Sequence, residues 1–380
     1  MPGKWLRRAL ISTALLVVAC GPEPTPLLSL TPPPEPADAV PWIDLVWAPG
    51  SLPPAGFEVE TERIVAVSAG PDGFVAVGYH EAEGERDGVI WFSPDGADWS
   101  RVDRPEMLAN IEMLDVASVP DGFVGLAIAS GGAFGDTFQT VFLRSDDGRD
   151  WRKLPPTAGT IDTFPITIAA GVGGALAVGH AADGEPATWR SSDGETFERV
   201  VNDGPAAEGV GDPQAGPDGF RALGLDAGMP TLMRSTDGAS WEATRIDGGA
   251  DLVATELALG RWGQIVMGLH APTCGASASC PGRPIAWWSG DGATWGRLPD
   301  GAPTTNGGSI VVPAGDHGFV AIDGASAWAS TTGWNWTTLP EPGDGSIVID
   351  AAVVRDDVIV AVGEEVVDDG TTVGRILVGR

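Results

Sequence analysis

The segments SPDGADW (93–99), SDDGRDW (145–151), SSDGETF (191–197), STDGASW (235–241) and SGDGATW (289–295) repeat one phrase along a chain of 380 residues. Its fixed positions are Ser93, Asp95, Gly96 and Trp99; Ser145, Asp147, Gly148 and Trp151; Ser191, Asp193, Gly194 and Phe197; Ser235, Asp237, Gly238 and Trp241; and Ser289, Asp291, Gly292 and Trp295. A sixth copy, STTGWNW (330–336), keeps Ser330, Gly333 and Trp336 but has Thr332 in place of the aspartate. Successive final aromatics lie 52, 46, 44, 54 and 41 residues apart, the period of a four-stranded propeller blade. Asp-Gly tolerates the positive φ that tight turns need, and Ser and Asp oxygens accept turn N–H groups, so each copy reads as a hairpin closing two strands.

Working outward, a short apolar strand precedes each copy, as in Val89-Ile90-Trp91-Phe92, and a more polar one follows, as in Glu242 to Ile246. Further upstream lies a second pair, Ile64 to Ser68 and Phe74 to Gly78 around Pro71-Asp72-Gly73, apolar and β-branched as strands buried on both faces should be. Comparable pairs occur at 114–128, 166–179, 220–225, 252–268 and 310–322, and once more at 347–362, followed by a third strand at Val373–Val378. That last set lacks a fourth strand, and Trp42–Trp47 has the character to supply it. The expected fold is all-β: a seven-bladed β-propeller of four-stranded antiparallel blades, closed by the amino-terminal strand completing the last blade and so leaving no free edge.

Composition agrees. The chain is 43% hydrophobic and 19% charged, with 54 Gly and 32 Pro, which suits many short strands and tight turns. Its net charge of −30 would repel phosphate backbones, which excludes nucleic acid as a partner and favours cationic ones.

Residues 1–19 predict a signal peptide, with Lys4, Arg7 and Arg8 before an apolar run from Ala9 to Ala19 too short to span a bilayer. The stretch Leu16-Val17-Val18-Ala19-Cys20 resembles the bacterial lipobox, which implies that Cys20 becomes the lipid-bearing first residue of a protein held in the cell envelope, outside the cytoplasm, by several acyl chains. Residues 20–41 read as this cysteine and a proline-rich stalk, and 42–380 as one propeller domain. Cys274 and Cys280 share a small-residue loop and are expected to form a local disulfide in an oxidising compartment.

The repeated phrase resembles the Asp-box, or BNR repeat, of sialidase-like propellers, shortened here by one residue. The resemblance implies a structural role for the boxes on peripheral turns away from the ligand face. Sialidases carry an arginine cluster, a tyrosine paired with glutamate and an acidic proton donor. Here Tyr79 is the single tyrosine, and Arg144, Arg190 and Arg234 each precede a box serine, making them equivalent strand positions rather than a converging triad. Tyr79, His80 and Glu81, with His180 and His270, follow second strands and are candidates for the ligand face; no catalytic set, metal site or cofactor site is expected. Trp91, Trp189, Trp287 and Trp328 occupy one repeated strand position as core residues, and only Trp262 and Trp334 stand outside the scheme. The reading is a membrane-anchored, monomeric, non-catalytic binding or scaffold protein for an unknown protein or glycan ligand. The alternatives are a sialidase-like glycoside hydrolase and an assembly factor for a membrane protein complex, since exported propellers that assist photosystem II assembly resemble this chain at the level of the box.

Overall fold

The computed structural model describes residues 42, 44–53, 61–130, 137–202, 206, 209–226, 229–246, 252–270, 283–298, 303, 309–367 and 371–380. The expected signal peptide, Cys20, the stalk, Cys274 and Cys280 lie outside the described residues.

A short strand β1 (Trp47–Pro49) precedes a series of like strand sets. The first comprises β2 (Thr61–Gly70), β3 (Gly73–Ala82), β4 (Glu85–Ser93) and β5 (Ser100–Arg101). The second is β6 (Ile111–Val119), β7 (Gly122–Ser130), β8 (Phe138–Ser145) and β9 (Trp151–Lys153), and the third is β10 (Thr163–Gly171), β11 (Gly174–Ala181), β12 (Pro186–Ser191) and β13 (Glu198–Val200). The fourth is β14 (Gly211–Gly216), β15 (Gly219–Asp226), β16 (Met229–Ser235) and β17 (Glu242–Arg245). The fifth is β18 (Leu252–Gly260), β19 (Gly263–His270), β20 (Arg283–Ser289) and β21 (Gly296–Arg297). The sixth is β22 (Ile310–Pro313), β23 (Phe319–Ile322), β24 (Ala327–Ser330) and β25 (Thr337–Leu339), and β26 (Ile347–Arg355), β27 (Val358–Val366) and β28 (Thr372–Gly379) end the chain.

The second to sixth sets are separate four-stranded antiparallel sheets. The first set and β26–β28 share an eight-stranded sheet, joined by the single parallel pair Thr61 and Thr372, with β1 antiparallel to β28. Among the described residues no sheet closes on itself. The leading strands touch in cyclic order: β2 with β6, β6 with β10, β10 with β14, β14 with β18, β18 with β22, β22 with β26, and β26 with β2. This arrangement is consistent with a β-propeller.

The core lies between sheets rather than inside any one of them. Val75, Val77, Ile90 and Phe92 of the first set pack on Ile111, Met113, Phe123 and Trp151 of the second, and the same relation recurs around the series to Val360, Val362, Ile376 and Val378 against Ile64, Phe74, Trp91 and Trp99. Strand alternation explains it: successive side chains point to opposite faces, and both faces of each sheet are covered, so β3 and β27 read as continuous apolar runs. Trp91, Trp189 and Trp287 are fully buried at the matching registers opposite Ala76, Ala177 and Val266. Trp334 packs edge-on against Trp288 with centroids 5.5 Å apart, while Trp262 is exposed.

Two placements differ from the sequence expectation. The early strand runs over Trp47–Pro49 instead of Trp42–Trp47, because Trp42 is drawn under the end of the sixth set, its ring against His317 (centroids 5.4 Å) and its Nε1 donating to Asp357 O at 3.2 Å. In the fourth set the first strand is Gly211–Gly216, a polar, glycine-containing segment without the apolar signature of its counterparts.

Candidate functional site

The antiparallel order assigns every loop to one of two ends. Turns between first and second strands and the box turns between third and fourth strands share one end, and loops from second to third strands, with the connections between sets, share the other.

At the box end each repeat builds the same hydrogen-bonded turn. The serine Oγ accepts the glycine N–H at 2.8 to 2.9 Å in all six copies. In the five aspartate copies Oδ1 accepts the next two N–H groups beyond the glycine, for instance from Arg149 and Asp150, both at 2.8 Å. Thr332 Oγ1 accepts one such group, from Trp334, at 3.3 Å. All six glycines have positive φ, from 70° to 86°. A Cβ at Gly96 would meet Val360 at 2.8 Å and one at Gly148 would meet Phe92 at 2.7 Å, so these boxes are pressed against the preceding set, whereas a Cβ at Gly292 would meet Gln264 of its own set at 2.7 Å. The N–H donors hold the carboxyls of Asp95, Asp193, Asp237 and Asp291 below the ordinary aspartate value; at Asp147 burial opposes them and is outweighed. These groups are spent on turn structure.

At the opposite end the sequence candidates occupy three settings. Tyr79, opposite Arg63 on β2, is 3% exposed. The Arg86 guanidinium lies 4.8 Å from its ring centroid and donates from Nε to Glu81 Oε2 at 2.9 Å and from Nη1 to Glu112 Oε2 at 2.8 Å. On the other side Arg63 Nε stands 3.1 Å from Glu364 Oε2. Burial pushes the Tyr79 phenol above its ordinary value, Glu112 adds to this, and Arg63 and Arg86 oppose it. Burial opposes the charge on Arg86, but Glu112 and Glu81 outweigh it and raise its pKa. The rim is thus a paired charge network around a covered ring.

His80 sits one register position beyond Tyr79, with Nε2 3.6 Å from Asp87 Oδ2; burial lowers its pKa and Asp87 partly opposes this. His180, opposite Phe164, takes the register of Tyr79, stacks on Phe164 with centroids 5.2 Å apart, and has Nδ1 3.1 Å from Ala181 O. Phe164 in turn contacts Phe138 at 4.6 Å. His270 pairs with Leu252 and Arg283 at the matching end of β19. His80 and His180 therefore have separate partners, and among the described residues no group of three or more His, Cys, Asp or Glu side chains could hold a metal. Arg144, Arg190 and Arg234 occupy equivalent registers. Only Arg144 is fully buried, donating to Asp121 Oδ1 at 2.7 Å and Asp121 O at 3.0 Å.

Sequence reasoning did not bring together Arg63, Arg86, Glu112 and Glu364. They come from three strand sets, and the usable signal was their register: Arg63, Glu112, Phe164 and Val348 each precede the bulge of their leading strand by the same step.

A cavity of about 390 Å³ lies between β2, β6, β10 and β14, lined mostly by small residues, with Asp115, Thr167 and Gln214 at its wall.

No protein-family model and no curated protein sequence matches the chain. Solved structures similar to it include the β-propeller domain of the Trilobed protease from Pyrococcus furiosus (9% identity, 84% of this chain and 94% of that one, TM-score 0.49). An α-L-arabinofuranosidase of Fusarium graminearum with arabinobiose shows 15% identity over 70% of this chain and 92% of that one, TM-score 0.46. Trypanosoma rangeli sialidase with sialic acid shows 12% identity over 85% of this chain and 54% of that one, TM-score 0.42.

Proposed function

We propose that the chain is a seven-bladed propeller, exported and anchored by lipid on Cys20, that acts as a monomeric, non-catalytic binding protein for a protein or glycan ligand at the end opposite the boxes. Seven blades are supported by the cyclic contact of leading strands and by the β1–β28 pair, which gives the last set its fourth strand. Export is supported by the leader-like residues 1–19 and goes with a Cys274–Cys280 disulfide.

The observation carrying the binding reading is the Arg63–Tyr79–Arg86 rim. It presents guanidinium and carboxylate edges from three sets, while the one tyrosine is covered and its ionisation suppressed. Paired charges held on rigid strands suit recognition by hydrogen bonds and ion pairs. One observation favours the hydrolase alternative: Tyr79 lies near Glu112 and between two arginines. Against it, a buried phenol with a raised pKa is a poor nucleophile at neutral pH.

The test compares the membrane-anchored protein with Arg86→Glu in a pull-down and on a glycan array. A stoichiometric ligand retained by the first and lost by the second supports the rim; equal retention, or no ligand for either, overturns it. Loss of palmitate incorporation in Cys20→Ala tests the anchor separately.

A further inference from the structure

At the box end, where β26 and β27 meet the first strand set, lies a cavity of about 450 Å³, a volume that suits a small ligand. Phe74 of β3, Pro94 of the first box and Val358 of β27 give it apolar walls. Its charged lining is mixed, with the guanidinium groups of Arg355 and Arg380 and the carboxylates of Asp95, Asp356 and Asp357. Arg380 and Asp95 satisfy each other: Arg380 Nη2 donates to Asp95 O at 2.7 Å and stands 3.2 Å from Asp95 Oδ2, while Asp95 Oδ1 accepts the turn N–H of Ala97 at 3.0 Å.

Arg355, the last residue of β26, is only partly satisfied. Its Nη2 donates to Pro71 O at 3.0 Å and its guanidinium lies 5.7 Å from the Phe74 ring centroid, but Nη1 is buried and meets no acceptor among the described residues. The turn that follows places two carboxylates beside it, 88% exposed at Asp356 and 79% at Asp357. Asp356 Oδ2 stands 3.8 Å from Arg355 Nε, too far for a hydrogen bond, and Asp357 Oδ1 is 3.7 Å from His317 Nε2. The cavity thus has an unmet donor that is covered from solvent and loosely held acceptors at its mouth.

We propose that this cavity binds a free α-amino acid with an apolar side chain: its carboxylate accepts from Arg355, its ammonium faces Asp356 and Asp357, and its side chain lies on Phe74, Pro94 and Val358. A buried donor without an acceptor costs free energy that a bound carboxylate recovers. An anion alone would meet three carboxylates against two guanidinium groups, and a cation alone would leave Arg355 Nη1 unmet. A zwitterion answers both. Its two charges sit on one carbon, and the matching charges of the site are likewise adjacent at Arg355 and Asp356. The site stands at the end of the molecule opposite the Arg63–Tyr79–Arg86 rim and does not depend on it.

Titration calorimetry of the full chain with L-leucine and L-phenylalanine tests this, beside the two halves of leucine: 4-methylpentanoate, which lacks the ammonium, and 3-methylbutylamine, which lacks the carboxylate. At least one amino acid should bind saturably, and each half should bind about tenfold or more weakly than leucine if leucine is the one bound. Arg355→Gln should weaken the bound amino acid by a similar factor. Saturable binding of neither amino acid overturns the proposal, as does unchanged affinity in Arg355→Gln or a 4-methylpentanoate that matches leucine, which would make the cavity a plain anion site. If Arg355→Gln does not fold, Asp356→Asn serves, because asparagine tolerates the left-handed backbone at 356 (φ 53°): affinity for the amino acid should fall, and an unchanged one overturns the proposal.

Discussion

Val46 and Arg380 exchange both of their main-chain hydrogen bonds, Val46 N donating to Arg380 O at 2.9 Å and Arg380 N to Val46 O at 3.2 Å. The pair extends the β1–β28 ladder and ties the start of the described chain to its end. The Val46 side chain is 68% exposed, so its contribution is in the backbone. Val46→Pro removes the donor and should cost about 1–3 kcal/mol in urea unfolding, whereas Val46→Ala should stay within about 0.5 kcal/mol. Equal midpoints for the two would refute the ladder.

Glycine is demanded at the boxes by space as well as by φ. Gly84 and Gly148 share positive φ, 83° and 75°, but a Cβ at Gly84 meets nothing within 4 Å and one at Gly148 meets Phe92 at 2.7 Å. Gly84→Ala should therefore cost only the conformational term, about 1–2 kcal/mol, and Gly148→Ala clearly more, because Phe92 must move within a packed interface. Ser145→Ala, which orphans the buried Gly148 N–H, should cost about 1–3 kcal/mol. Chemical denaturation of the three variants checks the order, and a Gly84→Ala loss as large as that of Gly148→Ala would remove the packing account.

The box aspartates set an acid limit. Asp193 accepts Glu195 N–H at 2.8 Å and Thr196 N–H at 2.9 Å, and these donors hold its carboxyl below the ordinary value. A depressed folded pKa contributes stability above the unfolded value and loses it as pH falls through the folded one. The gap in melting temperature between the parent and Asp193→Asn should be present at pH 7 and close below about pH 4. A gap that widens in acid would contradict this.

What could be read from sequence was whatever a local phrase encodes. Ser145, Asp147 and Gly148 form their turn from contiguous residues, so the box announces its own conformation, and Trp91 or Trp189 follow by alternation from it. The β14 strand escaped because Gly211-Asp212-Pro213 has no apolar rhythm; its place is set by partners in neighbouring sheets. The same holds for the rim. Arg86 meets Glu112, and Arg63 meets Glu364, only after sheets have been set side by side, and no spacing within one set records that contact. His180 shows the limit of motif matching: its Gly-His resembles Gly-Tyr-His at 78–80, yet the one-residue offset places it at the register of Tyr79.

Because the chain has one tyrosine, tyrosinate absorbance titrates Tyr79 alone. Burial is the largest influence on the phenol and Glu112 the next, with Arg63 and Arg86 opposing. The midpoint should lie above the ordinary value of about 10, provided the scan stays below alkaline unfolding as followed by tryptophan fluorescence. Glu112→Gln removes the main charge that disfavours tyrosinate and should lower the midpoint, while Arg63→Gln removes a favourable one and should raise it. The opposite responses separate charge from burial, since a generally loosened rim would lower the midpoint in both variants. A parent midpoint at or below 10 would mean that the ring is uncovered and the arginines dominate, which would reopen the nucleophile role that burial argues against.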